Sequence, residues 1–157
     1  MGYPQGKFIT WGDGGFQPDN WATVRDFILK HGFKTVIEYG CGVSTELLIA
    51  LGMKVTSLET QAKFADIPRA NIIVCAYGEY PELGAFDFAF IDGPGAYEFE
   101  SAGKTPERRL SAEHAKRHAR AVYMHDGGLG QPEVFDGDPA WECIRGGDTE
   151  LIYMRKS

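Results

Sequence analysis

Three apolar runs in this chain end in residues able to do chemistry. The first, "TVIEYGCGVST", climbs to Glu38 and turns through Gly40 and Gly42 into the hydroxyls of Ser44 and Thr45. Glycines one residue apart permit a tight turn and let a ligand approach the backbone, because no Cβ intervenes. Ser44 and Thr45 stand where a helix would begin, placed to cap it and to hydrogen-bond a ligand. Free amides in such a turn attract a carboxylate or a phosphate. The second run, "FDFAFIDGP", ends in Asp92, and the third, "AVYMHDGG", in His125 and Asp126. His125, at the carboxyl end of its run, is the first candidate for a general base. Asp126 could orient it, bind substrate, or share a divalent metal with Asp92. Two carboxylates alone make a poor Mg²⁺ site, however. The plainer reading of Asp92 is a carboxylate that only caps a loop.

The elements that must position these residues follow from the pattern. "PDNWATVRDFILKHG" predicts a helix capped by Asp19 or Asn20, with Trp21, Val24, Phe27 and Ile28 on one face and Gly32 closing it. "KTVIEYG", "KVTSLET", "NIIVCAY", "FDFAFIDGP", "AVYMHDGG" and "TELIYMRK" read as six strands. "STELLIALG" reads as a helix, as does "TPERRLSAEHAKRHAR" with Thr105 as cap and Pro106 at its first position. Alternation of strands and helices predicts an α/β, Rossmann-like domain: a mostly parallel sheet with helices on both faces. Ligands in such sheets bind at the carboxyl ends of the strands, where strand order reverses. The polar strand ends, Glu59-Thr60 included, therefore converge on one cleft.

Composition bounds the reading. At 157 residues, 43% of them hydrophobic, the chain is expected to form a single domain over residues 1–157 with its own core. A formal net charge of -6 argues against nucleic acid or an anionic membrane as a partner. Cys41, Cys75 and Cys143 are scattered without a CxxC pair, which fits a reduced, cytoplasmic setting better than a disulfide framework or a zinc site. The polar, glycine-rich start is unlike a signal peptide, and no apolar run reaches membrane-spanning length.

Glu59 follows Glu38 by roughly 20 residues, the offset at which a carboxylate grips the two hydroxyls of a ribose. With that spacing in place, "VIEYGCGVST", "VTSLE" and "FDFAFIDGP" resemble motifs I, II and IV of the class I S-adenosylmethionine-dependent methyltransferases. The resemblance spans about Thr35 to Asp126. It implies S-adenosylmethionine as cofactor, with the loop from Glu38 to Thr45 on the methionine moiety and Glu59 and Thr60 at the ribose. Ala76 and Tyr77 would flank the adenine, and Asp92 would lie near the transferred methyl and the acceptor. It also implies a methyl acceptor, a small molecule because no further recognition domain is legible, with a hydroxyl slightly favoured by Asp92, His125 and Asp126. The catechol-type members hold a metal with an Asp after the fourth strand and an Asp-Asn pair after the fifth. Here Gly127 stands in place of that Asn.

Other readings share these residues. Another enzyme on the same fold could use S-adenosylmethionine differently, for instance by cleaving it, or use a nicotinamide, which would prefer a third glycine in the first loop. A binding or assembly module could keep the pocket and transfer nothing. "EHAKRH" sets His114 and His118 one helical turn apart, a spacing open to a metal but expected on a solvated helix face. Lys104, Arg108, Arg109, Lys116, Arg117 and Arg120 could clamp an anionic acceptor or simply meet water. Trp11, Phe16, Phe135 and Trp141 are candidate lids or loop anchors. Six strands where the family has seven suggest a minimal core that covers its short side by homo-oligomerisation.

Overall fold

The computed structural model describes residues 16–126, 132–147 and 149–157, and within them a seven-stranded sheet. The strands are β1 Thr35–Tyr39, β2 Lys54–Glu59, β3 Asn71–Val74, β4 Phe86–Ile91, β5 Ala119–His125, β6 Trp141–Arg145 and β7 Glu150–Arg155. Their order is β3-β2-β1-β4-β5-β7-β6. Strands β1 to β5 pair in parallel, while β7 runs antiparallel to both β5 and β6. The helices are α1 Pro18–His31, α2 Val43–Ala50, α3 Ala96–Ser101 and α4 Arg109–His118.

Both faces of the central strands are covered, as their near-continuous apolar sequence requires. Along β4, Phe88 and Phe90 join a core beneath α1 and α2 that includes Trp21, Val24, Ile28, Leu47 and Leu48. The alternate residues Ala89 and Ile91 join the opposite core with Ala112 and Ala115 of α4. Period-two alternation thus sends each strand's side chains to two separate cores.

Helix α1 buries the face expected of it, and Gly32 closes it in the left-handed conformation at φ 66°. Its N-cap is Gln17 rather than Asp19 or Asn20; Asn20 contributes by accepting the Gln17 backbone N–H at 3.0 Å. The sixth strand by sequence count is in fact the seventh. The missed one, β6, forms the sheet edge and is exposed after Trp141, so it shows no apolar alternation. Its presence completes the antiparallel end of the sheet, and removes the short side as a reason for self-association.

Helix α4 begins at Arg109, later than the Thr105-Pro106 start, with Arg108 as its N-cap residue. Arg120, expected on that helix, belongs to β5. His114 and His118 are buried, at 2% and 5% exposure, not solvated. Their rings stack 4.0 Å apart; His114 Nδ1 meets the Tyr39 hydroxyl at 2.6 Å and its Nε2 meets the Pro81 carbonyl at 2.7 Å. A ring that donates to a carbonyl through Nε2 accepts from the hydroxyl through Nδ1, so His114 is satisfied as a neutral imidazole. Burial holds its pKa below the ordinary value.

Candidate active site

The register of the parallel strands decides which side chains meet. Tyr39 pairs with Leu58 and with Ile91, and Ile91 pairs with Met124. The next residue on each strand therefore falls in one row, Glu59, Gly40, Asp92 and His125, across β2, β1, β4 and β5. The row crosses the point where strand order reverses between β1 and β4. A cleft of about 520 Å³, open to solvent, lies there; Gly40, Cys41, Glu59, Thr60, Asp92 and Glu98 are among its walls.

Gly40 has φ 93°, and a Cβ on it would meet Gly93 Cα at 3.2 Å. A Cβ on Gly93 would in turn lie 2.9 Å from the Tyr39 carbonyl. The loops after β1 and β4 thus pass each other at backbone distance, which brings Asp92 beside the first loop.

Behind that loop lies Glu38, fully buried. It accepts hydrogen bonds from Ser44 Oγ, from Thr45 Oγ1 at 2.5 Å and from Ser57 Oγ at 2.6 Å. Burial pushes its carboxyl up to about 7; the three hydroxyls oppose that rise, and the charge of Asp92 adds to it. Thr45 Oγ1 also accepts the Gly42 N–H at 3.0 Å. Glu38, Ser44 and Thr45 therefore fix the loop's shape from behind and lie outside the cleft walls. Glu59, unlike Glu38, lines the cleft. Its Oε1 accepts the Cys41 N–H at 2.9 Å and its Oε2 accepts the Gln61 N–H at 3.0 Å. The Cys41 thiol is pushed up to about 12 by burial, with the charges of Glu38 and Glu59 adding, so it stays protonated.

No protein-family model and no curated protein matches the chain. Solved structures do. An O-methyltransferase from Bacillus cereus in complex with SAH superposes with a TM-score of 0.66 at 17% identity, covering 92% of this chain and 84% of that one. TomG, an O-methyltransferase from Streptomyces achromogenes in complex with SAM, gives 0.61 at 13%, covering 90% and 81%. The N-methyltransferase NodS from Bradyrhizobium japonicum gives 0.57 at 11%, covering 92% and 99%. The fold is that of the class I methyltransferases.

On this methyltransferase fold, Asp92 and His125 face one another: Nδ1 of His125 lies 3.0 Å from Asp92 Oδ1 and 3.5 Å from Asp126 Oδ2. Burial alone would push the imidazole down. The hydrogen bond and charge of Asp92, with Asp126 adding, outweigh it and raise the His125 pKa, against opposition from Arg108. Asp126 adopts φ 57°, a strained left-handed position for a residue with a side chain. Ligand atoms of Asp92, His125 and Asp126 all lie within 4.8 Å of one another, the one such group among the described residues.

Arg108 was expected only as one of a run of charges. It is 3% exposed, donates from Nε to the Pro94 carbonyl at 3.0 Å and from Nη1 to the His125 carbonyl at 2.7 Å, and sits 3.6 Å from Asp92. It ties the loop after β4 to the end of β5. Nothing local marks it: it precedes α4 and carries no periodic signal. Ala76 and Tyr77 line not the cleft of Glu59 but a second one, with Pro94, Glu98, Phe99 and Lys104. Of the suggested lids, Phe16 is buried and packs edge-on against the His125 ring at 5.9 Å. Phe135 and Trp141 are core residues, with Phe135 stacked on Tyr153 at 4.7 Å. Trp11 and Gly127 fall outside the described residues.

Proposed function

We propose that the chain is an S-adenosylmethionine-dependent methyltransferase acting on a small acceptor through a hydroxyl oxygen. The observation that carries this reading is the row Glu59, Gly40, Asp92 and His125 at the strand-order switch point. A buried carboxylate beside a glycine turn suits a ribose and an amino-acid tail, so the cleft fits the cofactor's chemistry. Glu59 would hold the ribose hydroxyls with Thr60 beside it. Gly40 and Gly42 would let the tail lie against the turn that Glu38, Ser44 and Thr45 hold in shape.

When bound, S-adenosylmethionine supplies a methyl group made electrophilic by its positive sulfur. The protein's own part is to align the acceptor, exclude water and take one proton. Asp92 accepts the Nδ1–H of His125, which leaves Nε2 as the basic nitrogen. His125 Nε2 would take the acceptor hydroxyl's proton as the oxygen received the methyl group that the cofactor supplies, the carbon–sulfur bond breaking to leave a neutral thioether. The base is thereby left as imidazolium, stabilised by Asp92 and Asp126. Arg108 holds both loops so that this geometry persists.

Asp92, His125 and Asp126 could also hold a divalent cation. The Arg108 guanidinium beside Asp92 already brings positive charge there, which favours the metal-independent route. Turnover that survives EDTA supports that route. No helix among the described residues is long and apolar enough to cross a membrane. Self-association would use the exposed edge strand β6, where Ile144 is 46% exposed. A strict monomer by light scattering would remove that idea.

Calorimetry with S-adenosylmethionine, S-adenosylhomocysteine and NAD is the deciding experiment. Binding of the first two and not of NAD is expected. Failure of both sulfur ligands would sink the proposal, and binding with no turnover across acceptor panels would leave a cofactor-binding module.

A further inference from the structure

His125 and Glu150 stand directly opposite one another on the antiparallel strands β5 and β7, so their side chains leave the same face of the sheet. Helix α1 packs on that face. Glu150 is buried, and it lies outside the walls of the cleft.

Its two oxygens are fully engaged. Oε2 accepts the Tyr123 hydroxyl at 2.7 Å and the Asn20 side-chain amide at 3.2 Å. Oε1 accepts Arg145 Nη2 at 2.9 Å, and the Thr23 hydroxyl approaches it at 3.5 Å. Burial raises the Tyr123 pKa and the Glu150 bond raises it further, so the phenol keeps its proton and donates. Four donors match the roughly four lone-pair sites of a carboxylate, which leaves none for a substrate. Glu150 is built as an anchor, not as an acid or a base.

What it anchors is the start of α1. The Asn20 amide nitrogen donates to Glu150, and the amide oxygen accepts the Gln17 N–H at 3.0 Å. With both ends used, the amide has one orientation, because the flipped one would set its oxygen against the carboxylate. The residue before Gln17 is Phe16, buried and edge-on to the His125 ring at 5.9 Å. The same ring meets Phe90 at 5.1 Å and Tyr123 at 6.4 Å. Tyr123 therefore both backs Phe16 and holds the anchor.

We propose that Glu150 is a positioning residue: through Asn20 it fastens the backbone at Gln17 and so keeps Phe16 seated on the His125 ring. Its catalytic meaning rests on the methyltransferase reading, in which His125 is the base and Phe16 keeps water from one side of it. The link joins residues 130 positions apart in the chain.

The test is NMR on the full chain with labelled phenylalanine and histidine, reading the cross-relaxation peak between the Phe16 and His125 rings. Asn20→Asp keeps an acceptor for the Gln17 N–H and adds a favourable charge to the first turn of α1, so the helix is not weakened. It sets carboxylate against carboxylate, however, and should lose most of that peak. Combining it with Glu150→Gln, whose amide can donate to a carboxylate at position 20, should restore the peak. Calorimetry should show the same S-adenosylhomocysteine affinity in both variants, since Asn20 and Glu150 lie outside the cleft. A peak that is absent from the unaltered protein, that persists in Asn20→Asp, or that the second substitution fails to restore overturns the assignment and leaves the cofactor reading intact. The full NMR pattern in a protein that binds no S-adenosylhomocysteine removes the catalytic meaning and leaves the anchor.

Discussion

His125 Nδ1 lies 3.0 Å from Asp92 Oδ1, across two parallel strands paired at Ile91 and Met124. The pair defines the titration of the site. Burial lowers the imidazole pKa, but Asp92 and then Asp126 raise it further, so the folded value stands above the ordinary one near 6.5. Raised in the fold, it contributes stability that is full below about pH 6.5 and is lost as pH climbs through the folded value. The neutral imidazole that the proposed proton transfer requires appears only above that same value. Asp92→Asn should move the His125 midpoint downward, and Arg108→Met should move it upward, because Arg108 opposes the charge. Histidine-resolved NMR titration reads both; a midpoint indifferent to either change would dismantle the assigned pair.

Glu59 is the one buried carboxylate of the row that faces the cleft, and it already accepts two backbone N–H groups. A ligand ribose would draw on the same oxygens. Glu59→Ala should weaken S-adenosylhomocysteine binding by about 10–100-fold, from the loss of hydrogen bonds to a charged acceptor. An unaltered Kd by calorimetry, with circular dichroism showing a folded protein, would rule the ribose assignment out.

Glu38 predicts a different pH effect, on stability rather than on activity. Its folded pKa is about 7 against an ordinary 4.5, so the folded state holds the proton more tightly than the unfolded one. Its contribution is complete below about pH 4.5 and falls away as pH rises through 7, a loss on the order of 3 kcal/mol. Urea unfolding at pH 5.5 and pH 8 should show this decline. Glu38→Gln should flatten it, and a variant that keeps the full slope would place its origin elsewhere.

The two glycine loops can be separated by substitution. Gly93→Ala sets a Cβ 2.9 Å from the Tyr39 carbonyl, backbone against backbone. It should cost about 1–3 kcal/mol and lower Tm by several degrees. A Cβ on Gly42 meets nothing within 4 Å. Gly42→Ala should therefore leave Tm nearly unchanged while weakening S-adenosylhomocysteine binding, if a ligand lies against that turn. Thermal unfolding with and without the ligand distinguishes the two, and a stable Gly93→Ala would contradict the close crossing of the loops.

Most of the architecture was legible because buried parallel strands are nearly all apolar and because glycines and prolines mark their ends. Helix α1 was read to its closing glycine for the same reason. Strand β6 escaped because an edge strand exposed after Trp141 has no face to bury and so no alternation to read. His114 and His118 were misplaced because spacing shows which residues share a helix face, not whether that face meets the sheet. Their polar atoms are satisfied by Tyr39 and Pro81 for His114, and by the His114 carbonyl and the Leu83 N–H for His118.

By itself, the sequence determined the strand ends and their chemistry: Glu38, Gly40, Gly42, Glu59, Asp92, His125 and Asp126 each follow from local pattern. Only the tertiary structure decided what those ends do together. Register, set by hydrogen bonds between strands distant in the chain, aligns Glu59, Gly40, Asp92 and His125 in one row. It also sends Glu38, Ser44 and Thr45 behind the loop they shape. Arg108 and Glu98 take their places through long-range contacts to Pro94, His125 and Thr60. No one-dimensional spacing encodes such contacts, because they exist only once the loops after β2, β4 and β5 have been brought together.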